Sequence, residues 1–286
     1  MTKARARSPS SRLASTSPDS VDPLVLQAAS RLKLIPYGKG SNDVRAAVEV
    51  ASPRFREELV SVTLSRVGGL GLDLLEMDKL ERSEFGIVLI GGIAAGSNAA
   101  TPLSGSFALG DALVSVEAIL AGGAVENKRP LEGLSFDATV SVLSTFTSYD
   151  TVRIVVKRLA ERRVVTVKVA GPDGVPYTEL KVLSGLGANL RTILQASNIN
   201  MYAPSTARFD SPYETGNCGG DGTCGTCIVA ITSGANLLNA RVRSEDKALK
   251  IQAAAPNWRW ACRTLVAEDE DAEGEVKLRL RPQTLL

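Results

Sequence analysis

The sequence predicts an α+β fold in two parts. Alternating, strand-like segments outnumber helical ones, and the two kinds are mixed along the chain. At 286 residues there is room for about two domains. All four cysteines fall between positions 218 and 262, so the second part holds one site and not a dispersed disulfide framework.

Residues 1–40 read as a disordered leader. The first 20 carry Lys3, Arg5, Arg7 and Arg12 against Asp19, and eight of them are Ser or Thr. No apolar h-region is present, so this is not a secretory signal; the composition suits an organelle transit peptide or a plain disordered tail. Ser41-Asn42-Asp43 predicts a cap for a helix starting near Val44. From Glu57 the pattern becomes regular. Leu59 to Leu64 is β-branched and alternating, hence a strand, and Val67 to Gly71 is a glycine turn. Leu72, Leu74 and Ile87 to Ile90 predict further strands, and Gly110-Asp111 turns the chain into another at Ala112 to Val116. Ser135 to Phe146 spaces Phe136, Val140 and Leu143 as a helix does, with Ser135 as its cap. Thr151 to Val156 closes a first domain over 57–159.

A basic segment, Lys157 to Arg163, leads into a second domain over 160–286. Val164 to Val169 and Tyr177 to Val182 form a hairpin around Gly171-Pro172-Asp173-Gly174. Ala188 to Ser197 predicts a helix, and Ile228 to Thr232 a strand. Ser244 caps a helix running to Ile251, and Cys262 to Val266 and Val276 to Leu280 are the last strands.

Composition excludes whole classes of function. An apolar share of 44% with 22% charged residues is that of a chain able to bury a core, not a disordered one. The longest apolar run, Ile87 to Ala95, holds two glycines and falls short of the roughly 18 residues a transmembrane helix needs. A net charge of +2 argues against nucleic-acid binding through bulk electrostatics. There is no histidine, which removes Ser-His-Asp and Cys-His catalysis, His-containing zinc sites, Rieske centres and His-ligated haem.

The cysteines are spaced Cys218-x5-Cys224-x2-Cys227-x34-Cys262. Four thiolates are what a [2Fe–2S] cluster requires, two per iron. A loop that wraps three sulfurs around a small cluster must pass close to it; Gly219, Gly220, Gly222 and Gly225 remove the Cβ atoms in the way and permit positive φ. Structural zinc pairs its ligands in two short knuckles, which the lone Cys262 and the wide Cys218–Cys224 gap do not match. A redox C-x-x-C at Cys224 and Cys227 leaves Cys218 and Cys262 unexplained.

Over about residues 160 to 282 the order of strands, helix, cysteine loop and late cysteine resembles the β-grasp [2Fe–2S] ferredoxin family. Plant-type ferredoxins place four residues between the first two cysteines. The five here resemble the adrenodoxin-like branch and the ferredoxin-like subunits of plastid complexes. With Trp258-Arg259-Trp260-Ala261-Cys262-Arg263, the text is most similar to the Fe–S subunits of the chloroplast NADH-dehydrogenase-like complex. The resemblance implies a [2Fe–2S] cluster on Cys218, Cys224, Cys227 and Cys262, and one-electron transfer at a potential on the order of −400 mV. It implies an electron carrier and not an enzyme, in the chloroplast stroma or at the thylakoid surface. Residues 160–286 carry 15 Lys/Arg and 14 Asp/Glu, unlike the strongly acidic diffusible ferredoxins. That near-neutral charge fits a docked subunit of a photosynthetic membrane complex, or one bound to a redox protein partner. Asp221 reads as a turn former or as a carboxylate that lowers the potential. The run Glu268 to Asp271 reads as a solvated loop or a face for a basic partner.

In the first part, Arg66-Val67-Gly68-Gly69-Leu70-Gly71-Leu72 resembles the carboxylate-binding loop of PDZ domains. The resemblance implies a PDZ-like β-sandwich with helix, in which the N–H groups of Leu70, Gly71 and Leu72, aided by Arg66, hold a C-terminal peptide. Phe136 and Val140 of the helix line the peptide groove, which takes an apolar ligand side chain or is filled by the protein itself. A rival reading from another class is a scaffold or assembly factor that senses redox state or iron and binds C-terminal peptides of membrane proteins. A third is an electron-donor component of an unidentified oxidoreductase.

Overall fold

The computed structural model describes residues 22–37, 45–79, 85–202, 216–251 and 253–282. The chain divides into two compact units, Met1–Ala160 and Glu161–Leu286. Among the described residues the secondary structure is mostly strand with four α-helices, the α+β mixture that the periodicity predicts.

In the first unit, helix α1 (Pro23–Arg31) is followed by an antiparallel pair, β1 (Leu32–Tyr37) and β2 (Arg45–Val50). Then come β3 (Phe55–Ser65), β4 (Leu72–Lys79), β5 (Gly86–Ile93), β6 (Ala112–Ile119) and β7 (Val125–Pro130). Helix α2 (Phe136–Ser144) and β8 (Thr151–Glu161) complete it. The sheet order is β3-β8-β6-β5-β4, with β7 also paired to β6, so β4 lies at a sheet edge.

The unbroken apolar run of β5 is explained by what covers it. Successive strand residues point to opposite faces, and here both faces are covered. Val88 and Ile90 join the core of Leu64, Val116, Leu143 and Phe146. Ile87 and Leu89 join a second cluster with Val25 and Ala28 of α1, Leu32 of β1 and Val48 of β2. A strand buried on both faces reads as a continuous hydrophobic run and not as alternation.

Two expectations are therefore corrected. The predicted leader over 1–40 is not all disordered, because residues 22–37 are an ordered helix and strand that supply this second layer; residues 1–21 lie outside the described residues. Asp22 caps α1 through its Oδ1, which accepts from Leu24 N at 2.8 Å, with Pro23 opening the helix. The predicted cap Ser41-Asn42-Asp43 and Val44 also lie outside the described residues, and from Arg45 the chain is strand, not helix. Pairing with β1 and burial of Val48 decide the conformation there. Buried Lys157 ties β2 to the sheet: its Nζ donates to Val48 O at 2.5 Å and to Glu132 Oε1 at 2.7 Å, and pairs with Glu57 at 3.1 Å. Of the basic segment Lys157 to Arg163, residues 157–161 are the end of β8, and Arg162-Arg163 lead on from it toward the second unit. The predicted Ser135 cap is present, its Oγ accepting from Ala138 N.

The second unit begins with the hairpin β9 (Val164–Ala170) and β10 (Pro176–Leu183). A two-residue strand β11 (Ala188–Asn189) leads into α3 (Leu190–Ala196). Strand β12 (Ile228–Ser233), helix α4 (Arg243–Ile251), β13 (Trp258–Trp260), β14 (Leu265–Val266) and β15 (Gly274–Leu280) follow. The main sheet is β10-β9-β15-β12-β13. Within it β9 and β15 are parallel and the other pairs antiparallel. Val165, Val167 and Val169 lie beside Val276, Leu278 and Leu280 of the neighbouring strand and share one core with Leu190 and Leu194 of α3.

Three local expectations shift. The helix predicted from Ala188 starts at Leu190, because Ala188-Asn189 pairs with β14 and Asn189 caps the helix through Thr192 N. Ser244 lies inside α4, which starts at Arg243. The strand predicted over Cys262 to Val266 is a 3-10 turn, Ala261–Arg263, followed by β14. Ala261 N donates to Cys227 O at 2.9 Å and Thr264 Oγ1 to Trp260 O, so the chain turns back over the cysteine loop.

Candidate metal centre

Three cysteines lie on the loop that ends at β12, and the fourth on the turn after β13. Pairing of β12 with β13, Ile228 opposite Trp260, brings those two segments together. The loop is a succession of bends. Gly219, Gly220, Gly222 and Gly225 all adopt positive φ, between +67° and +116°. A Cβ on Gly219 would meet nothing within 4 Å, so conformation alone favours glycine there.

The four sulfurs come as two pairs. Cys224 Sγ lies 3.3 Å from Cys218 Sγ, and Cys218 N approaches Cys224 Sγ at 3.4 Å. Cys227 and Cys262 form the second pair, brought side by side by Ala261 N on Cys227 O at 2.9 Å and by the pairing of β12 with β13. None of the four forms a disulfide. Among the described residues no three His, Cys, Asp or Glu side chains gather around one point suited to a single ion.

The electrostatics favour thiolates at two positions. Burial works against a charge on Cys218, but the N–H groups of Thr223, Cys224 and Gly220 outweigh it and lower its pKa to about 5. The hydrogen bond from Cys262 brings Cys227 down to about 7 despite burial. Cys262 itself is pushed up, by that shared hydrogen bond first and by burial second. Paired thiols, inward N–H groups and a glycine-rich backbone fit the donor set of a two-iron cluster.

Several residues that hold this arrangement were not visible as functional in the sequence. Asn189 Nδ2 donates to Cys262 O at 2.9 Å, fixing the fourth cysteine to the start of α3. Arg191 Nε donates to Tyr202 OH at 2.7 Å, and a Cβ on Gly220 would lie 3.3 Å from Arg191 Nη1. Arg263 donates through Nη2 to Asp221 O and covers Gly222 so closely that a Cβ there would collide with it. Asp221 is itself exposed. Buried Glu245 accepts from Arg259 Nε at 2.9 Å and from Trp260 N at 2.8 Å, bracing the strand that leads to Cys262. Trp258 and Trp260 pack on the same core as Cys227 and Cys262. The acidic run lines an open depression of about 610 Å³ with Asn236 and Asn239.

In the first unit the residues singled out lie around β4 and α2. Leu70 and Leu72 are half-buried and pack with Phe136 against the core, while Val140 is exposed. Gly71 has φ +75°, and a Cβ there would collide with Ser97. The loop's carbonyls are engaged: Asn98 Nδ2 donates to Val67 O and Gly69 O, both at 2.7 Å, Ala99 N donates to Leu70 O and Ala94 N to Gly71 O. Arg66 is held by a backbone bond from its N to Asp150 O. Helix α2 packs on β4 and β5, and Glu76 of β4 reaches the helix start, where its Oε1 accepts from Phe136 N at 3.2 Å.

No protein-family model matches the chain. The chain is 39% identical over 112 residues to a curated protein of Arabidopsis thaliana described as photosynthetic NDH subunit of subcomplex B 3, chloroplastic. The match covers 39% of this chain and spans about half (50%) of that relative's length. Among solved structures, the ISC-like [2Fe–2S] ferredoxin of Pseudomonas putida JCM 20004 aligns with 41% of this chain and 92% of its own. The TM-score is 0.30 and the identity 18%.

Proposed function

We propose that the second unit carries a [2Fe–2S] cluster and passes single electrons as a docked component of a photosynthetic NDH-type complex in the chloroplast. The observation that carries this reading is the arrangement of the four cysteines as two pairs, Cys218 with Cys224 through their sulfurs and Cys227 with Cys262 through the β12–β13 pairing and Ala261 N on Cys227 O. A two-iron cluster takes two thiolates on each iron. The sheet order β10-β9-β15-β12-β13, with its parallel central pair and with α3 between β10 and β12 along the chain, supports a β-grasp assignment. The chloroplast setting and the parent complex rest on the likeness to the Arabidopsis subunit. No helix among the described residues is long and apolar enough to cross a membrane.

Bound to these sulfurs, a cluster supplies one-electron chemistry between its diferric and mixed-valence states. The chain's part is to hold the thiolates, direct N–H groups at them, and bury the second pair beside Trp260. Anaerobic reconstitution of the full chain with iron and sulfide tests the reading. The expected product holds about two irons, shows visible bands that bleach with dithionite, and gives a rhombic S = 1/2 EPR signal on reduction. A colourless chain holding one zinc would overturn it.

For the first unit we propose a PDZ-like attachment module. Its supporting observation is the edge position of β4, next to α2, where an extended peptide can add as a strand. Half-buried Leu70 and Leu72 favour an apolar terminal side chain. Fluorescence anisotropy with a library of C-terminal peptides is expected to select apolar termini and to lose that selection when the same peptides are amidated. Equal binding of free and amidated peptides excludes the carboxylate role.

A further inference from the structure

We infer that Arg191 and Arg263 form a guanidinium pair that stabilises the electron-rich state of the cluster loop, with Tyr202 positioning Arg191; this rests on the cluster reading above. Both guanidinium groups lie against the loop at glycines. Arg191 reaches Gly220, where a Cβ would stand 3.3 Å from Nη1, and Arg263 lies over Gly222, where no Cβ fits. Those two glycines therefore admit the arginines as well as the bends of the loop. Arg263 is held at one end by its bond to Asp221 O, while its Nε is buried without a partner. A buried N–H donor without a partner costs free energy unless an acceptor meets it, and cluster and thiolate sulfurs are the acceptors this loop would bring.

Arg191 is anchored separately. Its Nε donates to Tyr202 OH at 2.7 Å, which fixes the side chain of the second α3 residue over the loop. Burial opposes the Arg191 charge, yet the Tyr202 oxygen and the Cys227 and Cys262 sulfurs outweigh it. The guanidinium is therefore within electrostatic reach of the second cysteine pair. A cluster held on these cysteines would gain one negative charge on accepting one electron from a donor protein, or from dithionite in the laboratory, with one ferric ion reduced to ferrous. Fixed positive charges nearby favour that state and raise the midpoint potential. Neither arginine transfers the electron; both act through the field at the sulfurs.

The test is a redox titration of the reconstituted full chain, followed by visible absorption and EPR. Arg191→Gln and Arg263→Gln are each expected to shift the reduced-to-oxidised ratio at fixed potential by roughly tenfold toward the oxidised form, which is ~59 mV for one electron. Iron and sulfide content should match the parent chain. Arg191→Lys should recover most of the shift, and Tyr202→Phe should give a smaller one of the same sign. If a Gln variant loads poorly, the Lys and Phe variants carry the test on their own. Full loading with an unmoved midpoint in all of them overturns the inference and leaves the cluster reading intact. A parent chain that takes up no two-iron cluster removes both.

Discussion

Cys262→Ser is expected to abolish the two-iron cluster while leaving the second unit folded. Cys262 is the only ligand candidate outside the glycine loop, and its pairing with Cys227 supplies half of the proposed donor set. The bonds to backbone carbonyls that build the turn do not involve its thiol. The turn is built by Ala261 N on Cys227 O, Thr264 Oγ1 on Trp260 O and Asn189 Nδ2 on Cys262 O, all of which a serine preserves. Iron and sulfide per chain should fall from about two of each to a small fraction, because serine is a poor substitute for thiolate on this cluster type. The circular dichroism spectrum should stay that of the parent. Retention of full iron and sulfide would falsify the ligand assignment. The pH dependence of loading follows from the same pairs. Thiolates, not thiols, take up metal. Cys227, near 7, gains its proton first as the pH falls, and Cys218, near 5, gains its proton later. Cys262, whose thiol is pushed up, must release its proton on binding metal throughout this range; loading of the cluster-free chain is therefore expected to slow as pH drops through about 7 and to fail toward pH 5. A flat loading rate from pH 8 to 5 counts against these proton assignments.

How much of this was legible in the sequence depends on the range over which each feature is determined. The cysteine spacing and the loop glycines are local text, and the alternation of Val165, Val167 and Val169 marks a strand without help from the rest of the chain. Helix α2 announces itself through Ser135 and its apolar spacing. The first layer of unit one was missed for a nonlocal reason. Ser41-Asn42-Asp43 reads as a helix cap when its neighbours are ignored, but the strand from Arg45 is decided by its partner β1. One signal did point to that layer: Ile87 to Ile90 is apolar at every position, and such a strand needs cover on both faces. Asp22-Pro23 was a second, since a capping acid followed by proline is a helix start. For the candidate centre, the ligands were readable and their supports were not. Arg191, Tyr202, Asn189 and Glu245 reach the cysteine segments only through the tertiary fold. No spacing rule connects a residue on α4 to a turn that begins 16 positions later.

Glu245→Ala is expected to be the most destabilising single substitution in the second unit that leaves all four cysteines in place. The carboxylate is fully buried, at 0% exposure, and accepts three hydrogen bonds: from Arg259 Nε at 2.9 Å, Arg259 Nη2 at 3.3 Å and Trp260 N at 2.8 Å. Arg259 in turn donates to Asn239 O at 2.9 Å and Asn239 Oδ1 at 3.3 Å. Asn239 closes the network by accepting from Leu265 N and donating to Arg263 O. The whole segment from Trp258 to Leu265, which bears Cys262, is thereby clamped. Alanine would leave the Arg259 guanidinium buried beside a void, and removing one partner of a buried pair costs about 3–5 kcal/mol. Glutamine keeps the shape and an acceptor, so Glu245→Gln should cost less, while Glu245→Ala with Arg259→Met should recover part of the loss by removing the stranded charge. Trp258 and Trp260 are the only tryptophans in the chain, so urea unfolding followed by tryptophan fluorescence reports on this unit alone. Because the network sits upstream of Cys262, loosened clusters should accompany lost stability: Glu245→Ala should release iron to a chelator faster than the parent. Equal midpoints in urea for Glu245→Ala and the parent would show that the pair is dispensable, and equal release rates that it does not brace the fourth ligand.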